Sequence, residues 1–358
     1  MSASLWYTRC PVPSATSIAL TGHWFEAEFA DDDVAVRSIG ESPDREIRLA
    51  HYRHNHPGLL REGGLVPPAW ATSTGTPVRL LALNRVKQFH GLLVRADGPI
   101  TEPGQLRGAR VALPKRLGQP IDFSRAVSWH GIVDCLASVG LLEDDVQFVD
   151  AVFDEPFQSD RAGGTHTSVY SARENVRLYT AEVLMLVRGE VDAIYASGPH
   201  ALALAALIDA RPIVALDASQ DHDGERGQHV RVLTASTPLL EAHPELVIRY
   251  LAVLLRAAAW AATNLDRALE IVAAEIGVAT EWAGLGLSRD VGAQLVPGDD
   301  PAAVDAVDHR LQFLRARGFL DRDLSVEAWH SPEFLTAARD LAPRVTAPSA
   351  ATLVRAAS

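Results

Sequence analysis

Short apolar runs alternate with stretches of helical periodicity along most of the chain. The runs are rich in Val, Ile and Leu and are bounded by polar residues or glycines, which is typical of buried strands. We predict strands at residues 5–8, 34–39, 78–83, 91–94, 110–113, 146–152, 191–195, 212–216 and 230–234. Between them, Ala, Leu and Val recur at helical spacing, which predicts helices at 126–139, 179–188, 201–210 and 244–264. This alternation predicts an α/β fold.

The composition is that of a soluble globular protein long enough for two lobes. The chain has 358 residues, of which 47% are hydrophobic and 22% are charged. Its formal net charge is -12, and no cluster of Lys and Arg interrupts this acidity. Because nucleic-acid phosphates bind to clustered cations, we expect no nucleic-acid partner. A small anionic ligand would have to be held by individual arginines.

The sequence carries no targeting or membrane signal that we recognise. Its first residues show neither a basic segment nor an apolar core of signal-peptide length. The stretch 251–262 is apolar, but it is interrupted by Arg256 and is too short to span a bilayer. We therefore expect a cytoplasmic protein, monomeric and without a membrane partner. Two cysteines, Cys10 and Cys135, do not make a disulfide framework, and we expect both to be reduced.

Three residues near the start of the chain together suit the chemistry of an anion. Cys10 could act as a nucleophile, His51 could move a proton, and Arg61 could hold oxyanions. Pro11 and Pro13 restrict the backbone around the thiol and fix the direction in which it is presented. Taken singly, these residues are ordinary, since a lone thiol is usually buried and inert and an arginine is usually solvated.

The segments around these residues resemble the 2'-hydroxybiphenyl-2-sulfinate desulfinase family of biodesulfurisation. Cys10 begins a Cys-Pro-Val-Pro segment, and Arg61 is followed by Gly-Gly-x-x-Pro-Pro at 63–68. The run 189–195 and Trp329 also look like family positions, so the resemblance spans nearly the whole chain.

The resemblance implies a role for each site residue. Cys10 would be the nucleophile, His51 the acid/base or orienting group, and Arg61 with the Gly64 N–H the clamp on the sulfinate. No cofactor and no metal is implied, and a metal site built on His51 with its neighbouring histidines lacks a carboxylate or thiolate to complete it. Four further residues would contact the substrate: Arg9, Tyr52, His56 and Trp129.

Two other segments resemble the lobe crossings of type II periplasmic-binding-protein folds. One covers residues 92–113 and the other covers 232–247, where a strand leads into a long helix. We therefore expect two α/β lobes around a central cleft, with lobe one at 1–94 plus 224–358 and lobe two at 95–223. Ligands of open α/β sheets bind at the carboxyl ends of the strands, which places the site in this cleft.

The activity implied is cleavage of the C–S bond of an aryl or alkyl sulfinate with release of sulfite. Either Cys10 attacks the sulfur to give a thiosulfonate-like intermediate that water hydrolyses, or it protonates the departing carbon directly. Both routes are open at this stage. The enzyme would be a hydrolase whose partner is a small organic sulfinate or a related anion.

Three departures from the family pattern bear on the substrate. Arg9 stands where the family has asparagine, His56 stands where it has glutamine, and residues 196–200 lack the family's aromatic side chains. We expect from this extra polarity a substrate that is more polar or more anionic than hydroxybiphenyl sulfinate.

Two other functions fit the same fold. One is a non-catalytic binding protein that delivers a sulfonate or similar anion to an ABC transporter. The other is an enzyme of specialised metabolism that uses the same Cys/His/Arg site on a different leaving group, such as a carboxylate. Fold alone does not separate them from a desulfinase, whereas release of sulfite does.

Overall fold

The computed structural model describes residues 3–155, 177–216 and 228–348, and it contains two groups of strands. The first group is one sheet made of β1 (Ala3–Arg9), β2 (Val34–Ser38), β3 (Leu59–Gly64), β4 (Val78–Lys87) and β10 (Gln228–Ser236). Their order is β2-β1-β3-β10-β4. β1 runs parallel to β2 and β3, whereas β10 is antiparallel to β3 and β4. The carboxyl ends of β1 and β3 therefore lie side by side.

The second group of strands forms the other lobe. It comprises β5 (His90–Arg95), β6 (Arg110–Arg116), β7 (Gln147–Phe153), β8 (Ile194–Ser197) and β9 (Ala210–Leu216). β5 lies between β8 and β9 and is antiparallel to both, and β6 pairs in parallel with β7. A bridge between Val111 and Ala193 joins the two parts.

Helices cover both groups of strands. In chain order they are α1 (Ala15–Thr21), α2 (Trp24–Glu28), α3 (Arg45–Arg53), α4 (Val66–Ser73), α5 (Phe123–Ser138), α6 (Thr180–Val187), α7 (Gly198–Leu207), α8 (Thr237–Ala242), α9 (Pro244–Thr263), α10 (Leu265–Ile276), α11 (Thr280–Gly286), α12 (Val291–Gln294), α13 (Pro301–Ala316), α14 (Val326–Trp329) and α15 (Pro332–Leu341). Two sheets covered by helices confirm the predicted α/β class.

The helix α9 is the centre of the core in the first lobe. Its side chains Leu251, Val253 and Leu254 are fully buried among residues of α1, β1 and β4. With 20 residues it is longer than the apolar stretch seen in the sequence, and within the described residues it is the one helix long and apolar enough to cross a membrane. Its apolar side chains instead pack against the first sheet.

The chain crosses between the lobes at residues 88–89, where β4 ends and β5 begins. The predicted boundary at residue 94 falls inside β5, which pairs only with strands of the second lobe among the described residues. The second predicted boundary, between 223 and 224, lies outside the described residues.

The strand β3 was not among the predicted strands, although it carries Arg61. Paired glycines such as Gly63 and Gly64 usually mark a turn. They are instead the last residues of β3, which is held between β1 and β10. The other predicted strands are present with shifted ends.

Candidate functional site

A cavity of about 200 Å³ opens between the two lobes. The first lobe contributes residues that follow β1 and β3, together with side chains from α3, α4 and β10, and the second lobe contributes α5 and the start of α7. Its lining residues are Cys10, Pro11, Val12, Pro13, His51, Tyr52, Arg61, Gly64, Val66, Pro67, Gln88, Phe123, Val127, Tyr179, Ser197, Gly198, Pro199, His200, His229, Arg231 and Ile276. The four residues predicted to form the anion site, Cys10, His51, Arg61 and Gly64, all line this one cavity.

Cys10 is fixed to β3 through Glu62. The Cys10 N–H donates to the Glu62 carbonyl at 3.1 Å. The buried Glu62 carboxyl accepts from the Ala15 and Thr16 N–H groups at the start of α1, at 3.1 and 2.8 Å, and from the Thr16 hydroxyl at 2.5 Å. An acidic group at a helix N-terminus is favourable because it satisfies free N–H donors. Glu62 therefore holds both ends of the loop that presents the thiol.

The thiol lies directly against the backbone of Gly63. A Cβ atom placed on Gly63 would be 2.5 Å from Cys10 Sγ, far closer than atoms pack. A Cβ on the neighbouring Gly64 would meet nothing within 4 Å. Gly63 therefore allows the thiol to lie close to the backbone, whereas Gly64 faces open space.

The Arg61 guanidinium is buried and bound to the protein on three sides. Its Nε donates to the His51 carbonyl at 3.1 Å, its Nη1 to the Gly64 carbonyl at 2.8 Å, and its Nη2 to Cys10 Sγ at 3.3 Å. Burial lowers the pKa of Arg61, and the nearby Cys10 opposes that shift. Three of its five N–H groups are used in these bonds, which fix the plane of the fork beside the sulfur.

His51 faces the sulfur from another side. Its Nε2 lies 3.8 Å from Cys10 Sγ, and its Nδ1 is 2.8 Å from the hydroxyl of Thr8, two residues before the cysteine. Burial holds the pKa of His51 well below its usual value, and the Arg61 charge adds to this. The imidazole is therefore neutral at physiological pH and its position is set by Thr8.

One of the four predicted substrate contacts lines the cavity. Tyr52 is buried there, edge-on to the His51 ring at 5.0 Å and stacked on Phe123 at 6.2 Å. The other three, Arg9, His56 and Trp129, do not line it.

Contacts elsewhere in the protein explain why each of these three residues lies outside the cavity. Arg9 points away from Cys10 along β1 and forms a two-bond ion pair with Glu275, at 2.8 and 2.9 Å. His56 follows the end of α3, packs against Trp6 and accepts from the Gly58 N–H. Trp129 lies on a different face of α5 from Phe123 and Val127, between Phe148, Phe313 and Arg317.

A second buried arginine lines the cavity, and it was not predicted from the sequence. Arg231 on β10 is 6% exposed and is the register partner of Gly64. Its Nη2 donates to Gln88 Oε1 at 3.3 Å, and its Nε has no hydrogen-bond partner among the described residues. Burial lowers its pKa to about 10. The sequence predicted only an apolar strand at 230–234. The presence of an arginine inside that apolar run was the one feature that could have indicated a site residue.

The remaining candidates play no part in the cavity. Cys135 is fully buried in α5, and burial raises the pKa of its thiol. Both described cysteines are free. His54 is buried with its Nε2 3.0 Å from the Thr234 hydroxyl. Within the described part of the chain, no group of three or more His, Cys, Asp or Glu residues could hold a metal ion.

Comparison with known proteins gives relatives that match over nearly the full length. The chain is 28% identical over 354 residues to the 2'-hydroxybiphenyl-2-sulfinate desulfinases of Rhodococcus erythropolis and Rhodococcus qingshengii, covering 93% of this chain and 92% of each relative. No family model matches the chain.

Solved structures with the same fold include the desulfurization enzyme DSZB and sulfonate-binding proteins. The DSZB structure matches with a TM-score of 0.71 at 26% identity, covering 94% of this chain and 99% of that chain. A cysteine-to-serine mutant of DSZB in complex with biphenyl-2-sulfinic acid matches with a TM-score of 0.74 at 24% identity, covering 95% and 99%. The putative periplasmic sulfonate-binding protein SsuA from Methylobacillus flagellatus KT matches with a TM-score of 0.68 at 16% identity, covering 94% of each chain. The fold is therefore that of the periplasmic-binding-protein-like proteins, as expected.

Proposed function

We propose that this protein is a cysteine-dependent sulfinate desulfinase that hydrolyses a C–S bond and releases sulfite. The observation that carries the proposal is the contact between Arg61 and Cys10, with Nη2 3.3 Å from Sγ and a neutral histidine on the other side of the sulfur. The similarity to the 2'-hydroxybiphenyl-2-sulfinate desulfinases supports it along the whole chain.

The overall reaction adds water across the C–S bond. A sulfinate R–SO2⁻ and H2O give R–H and HSO3⁻, so the carbon gains a proton and the sulfur gains a hydroxyl group. Arg61 has N–H groups left beyond its three protein bonds, and these suit the two sulfinate oxygens. Because the fork is already fixed, little reorganisation accompanies the reaction.

Two routes satisfy this balance. In the first, the Cys10 thiolate attacks sulfur, the carbon leaves with a proton to give R–H, and water then converts Cys10–S–SO2⁻ into thiol and HSO3⁻. In the second, the thiol protonates the carbon, SO2 leaves, and water hydrates it to HSO3⁻. The Arg61 hydrogen bond stabilises negative charge on the sulfur and so favours the first route.

His51 suits proton transfer in either route. It is neutral, it lies within 3.8 Å of the thiol, and its ring is held by Thr8. A neutral imidazole can take the thiol proton and later return one to carbon or water. We propose this acid/base role, together with the clamp formed by Arg61 and the Gly64 N–H.

The walls of the cavity suit an apolar substrate body. Pro11, Val12, Pro13, Val66 and Val127 line it alongside the aromatic rings of Tyr52, Phe123 and Tyr179. A cavity of about 150 Å³ is enough for a benzene molecule, so about 200 Å³ suits a single ring or a short aliphatic chain. The substrate class is an aryl or alkyl sulfinate.

Sulfite release from a panel of aryl and alkyl sulfinates tests the proposal. We expect wild-type protein to release sulfite and Cys10→Ala to lose at least about a thousandfold in rate. Cys135→Ala is the matched control, because it removes the other thiol far from the cavity and should keep most activity. If wild-type protein binds sulfinates or sulfonates tightly and releases no sulfite, the binding-protein alternative is correct. If no sulfinate releases sulfite and the corresponding aryl or alkyl carboxylates, added to the panel, lose carbon dioxide, the different-leaving-group alternative is correct.

The cytoplasmic location and the monomeric state stay predictions. Fractionation of cells and size-exclusion chromatography of the purified protein would test them.

A further inference from the structure

Arg231 has no ion-pair partner within the described part of the chain. No described carboxylate lies within ion-pair distance of it, and its Nη2 donates to the neutral amide of Gln88 at 3.3 Å. The Nε group has no hydrogen-bond partner there, although the side chain is 6% exposed. Cys10 and the carboxyl group of Glu62 also attract Arg231, but Cys10 Sγ already accepts from Arg61, and the Glu62 oxygens already accept from Ala15, Thr16 and Asn84. A buried cation without a counter-ion is unfavourable, so it points to a ligand.

The groups around Arg231 also favour an anion. Gln88 Oε1 accepts from Arg231, and the Gln88 amide lies 3.8 Å from the Cβ position of Gly198. Gly198 begins α7, a helix of 10 residues whose first turn lines the cavity without a side-chain cap. The Gly198 N–H donates to the Phe89 carbonyl at 2.6 Å and Pro199 has no N–H, so the start of α7 contributes the partial positive charge of a helix N-terminus rather than a free donor at these two residues. We call Arg231, Gln88 and Gly198 the second anion wall.

The two histidines beside this wall, His229 and His200, are neutral, so they add no second positive charge. Burial holds the pKa of His229 well below its usual value, with His90 and Arg231 adding to the effect. Burial likewise lowers the pKa of His200. Its Nε2 lies 3.1 Å from the Ile276 carbonyl, and His200 forms no ion pair within the described part of the chain. Arg231 is thus the one full charge that this wall presents to the cavity among the described residues.

We propose that Arg231 binds a second anionic group of the substrate, a carboxylate, while Arg61 holds the sulfinate. This inference rests on the proposed function and narrows its substrate class to sulfinates that also carry a carboxylate. A guanidinium fork matches the two oxygens of a carboxylate. A single ring or a short chain with both groups suits the cavity volume of about 200 Å³. The sequence predicted a more polar or more anionic substrate from Arg9 and His56, which do not line the cavity. Arg231, which does line it, gives an independent reason to expect a more anionic substrate.

Benzenesulfinate and the 2-, 3- and 4-sulfinobenzoates are the probes that test this. For wild-type protein we expect kcat/KM for at least one sulfinobenzoate to exceed that for benzenesulfinate by about tenfold or more. Arg231→Met keeps the side-chain bulk without the charge and should abolish the preference, bringing that ratio to about one. Arg231→Lys keeps the charge and should keep most of the preference. A wild-type ratio of one or below for all three isomers, or an unchanged ratio in Arg231→Met, overturns the proposal.

The melting temperature of the ligand-free protein separates a binding role from a structural one. If the cation awaits a ligand, replacing it with a methionine relieves an unfavourable burial, and the Tm of Arg231→Met should stay level or rise. A Tm that falls by several degrees would show a structural partner and overturn the proposal.

A failure of the proposed function is distinguishable from a failure of this inference. If wild-type protein releases no sulfite from any probe, the desulfinase proposal fails. The dissociation constants of benzoate and of the three benzenedicarboxylates, measured by calorimetry on wild type and Arg231→Met, then decide the role of Arg231. Tighter binding of a dicarboxylate that the methionine variant loses supports the second anion wall, and equal binding by both proteins overturns it.

Discussion

Two buried arginines line the same cavity, and they differ in how the protein uses them. Arg61 donates to two backbone carbonyls and to the Cys10 sulfur, so its plane is fixed. Arg231 makes a single 3.3 Å bond to Gln88 and leaves Nε without a partner among the described residues. The first arrangement is typical of a group that must be in place before the reaction, and the second of a group that a ligand completes.

The glycines beside these arginines give the largest expected difference. Gly63→Ala would drive a methyl group onto Cys10 Sγ, because its Cβ would lie 2.5 Å from the sulfur. The Cys10 backbone is held by Glu62, so the thiol itself would have to turn away from Arg61. We expect kcat to fall on the order of a thousandfold, since the proposed nucleophile would be displaced from its charge partner.

Gly64→Ala is the matched control for this change. Its Cβ would meet nothing within 4 Å, so the methyl group would occupy open space near the cavity. We expect less than about a tenfold change, seen mainly in KM for bulky sulfinates. Similar losses in both variants would show that the contact between Gly63 and the thiol is unimportant.

Replacement by lysine should lower the rate of sulfite release much more at Arg61 than at Arg231. Arg61→Lys keeps the charge but cannot bind the His51 carbonyl, the Gly64 carbonyl and Cys10 Sγ at once. Its rate of sulfite release should fall about a hundredfold, or about 3 kcal/mol. Arg231→Lys loses only one long bond, and its activity should fall less than about tenfold. Steady-state kinetics on both variants measures the difference, and equal losses would contradict it.

Acid should weaken the second lobe through His90. Burial lowers the pKa of His90 to about 4 from 6.5, and Tyr195 Oη lies 3.2 Å from its Nδ1. As the pH falls from 6.5 towards 4, the unfolded chain binds a proton at His90 that the folded protein does not. Stability is therefore full above 6.5 and declines below it, by about 3 kcal/mol for this group at most.

His90→Gln should remove this part of the acid sensitivity. The glutamine can still bond to Tyr195, and it does not titrate. Denaturant unfolding at several pH values should give a shallower fall in the free energy of unfolding between pH 6.5 and 4 for the variant than for wild type. Parallel curves would show that His90 does not contribute.

A site residue could be predicted from the sequence where the residues next to it along the chain form a recognisable pattern. Cys10, His51 and Arg61 belong to one short stretch of chain with recognisable flanking prolines and glycines, so their meeting was predictable. Arg231 reaches the same cavity only because β10 pairs with β3 in antiparallel register, which no local pattern reveals.

The errors have the same origin. Arg9 is neutralised by Glu275, which lies 266 residues away, and residue type alone cannot show such a partner. Trp129 was placed in the site by the family resemblance, but the face of α5 that meets the cavity carries Phe123 and Val127. β3 was missed because its glycines resemble a turn, whereas the pairing of β3 with both neighbouring strands decides its conformation.

The stoichiometry of the reaction in heavy water tests the central claim most directly. Wild-type protein incubated in D2O with a sulfinate should give one sulfite and one desulfinated product, with deuterium on the carbon that carried sulfur. Cys10→Ser should bind the same sulfinate with similar affinity and form neither product at a measurable rate, because a hydroxyl is a poor nucleophile towards sulfur. Near-full sulfite release by Cys10→Ser, or a desulfinated product without sulfite, would contradict the account.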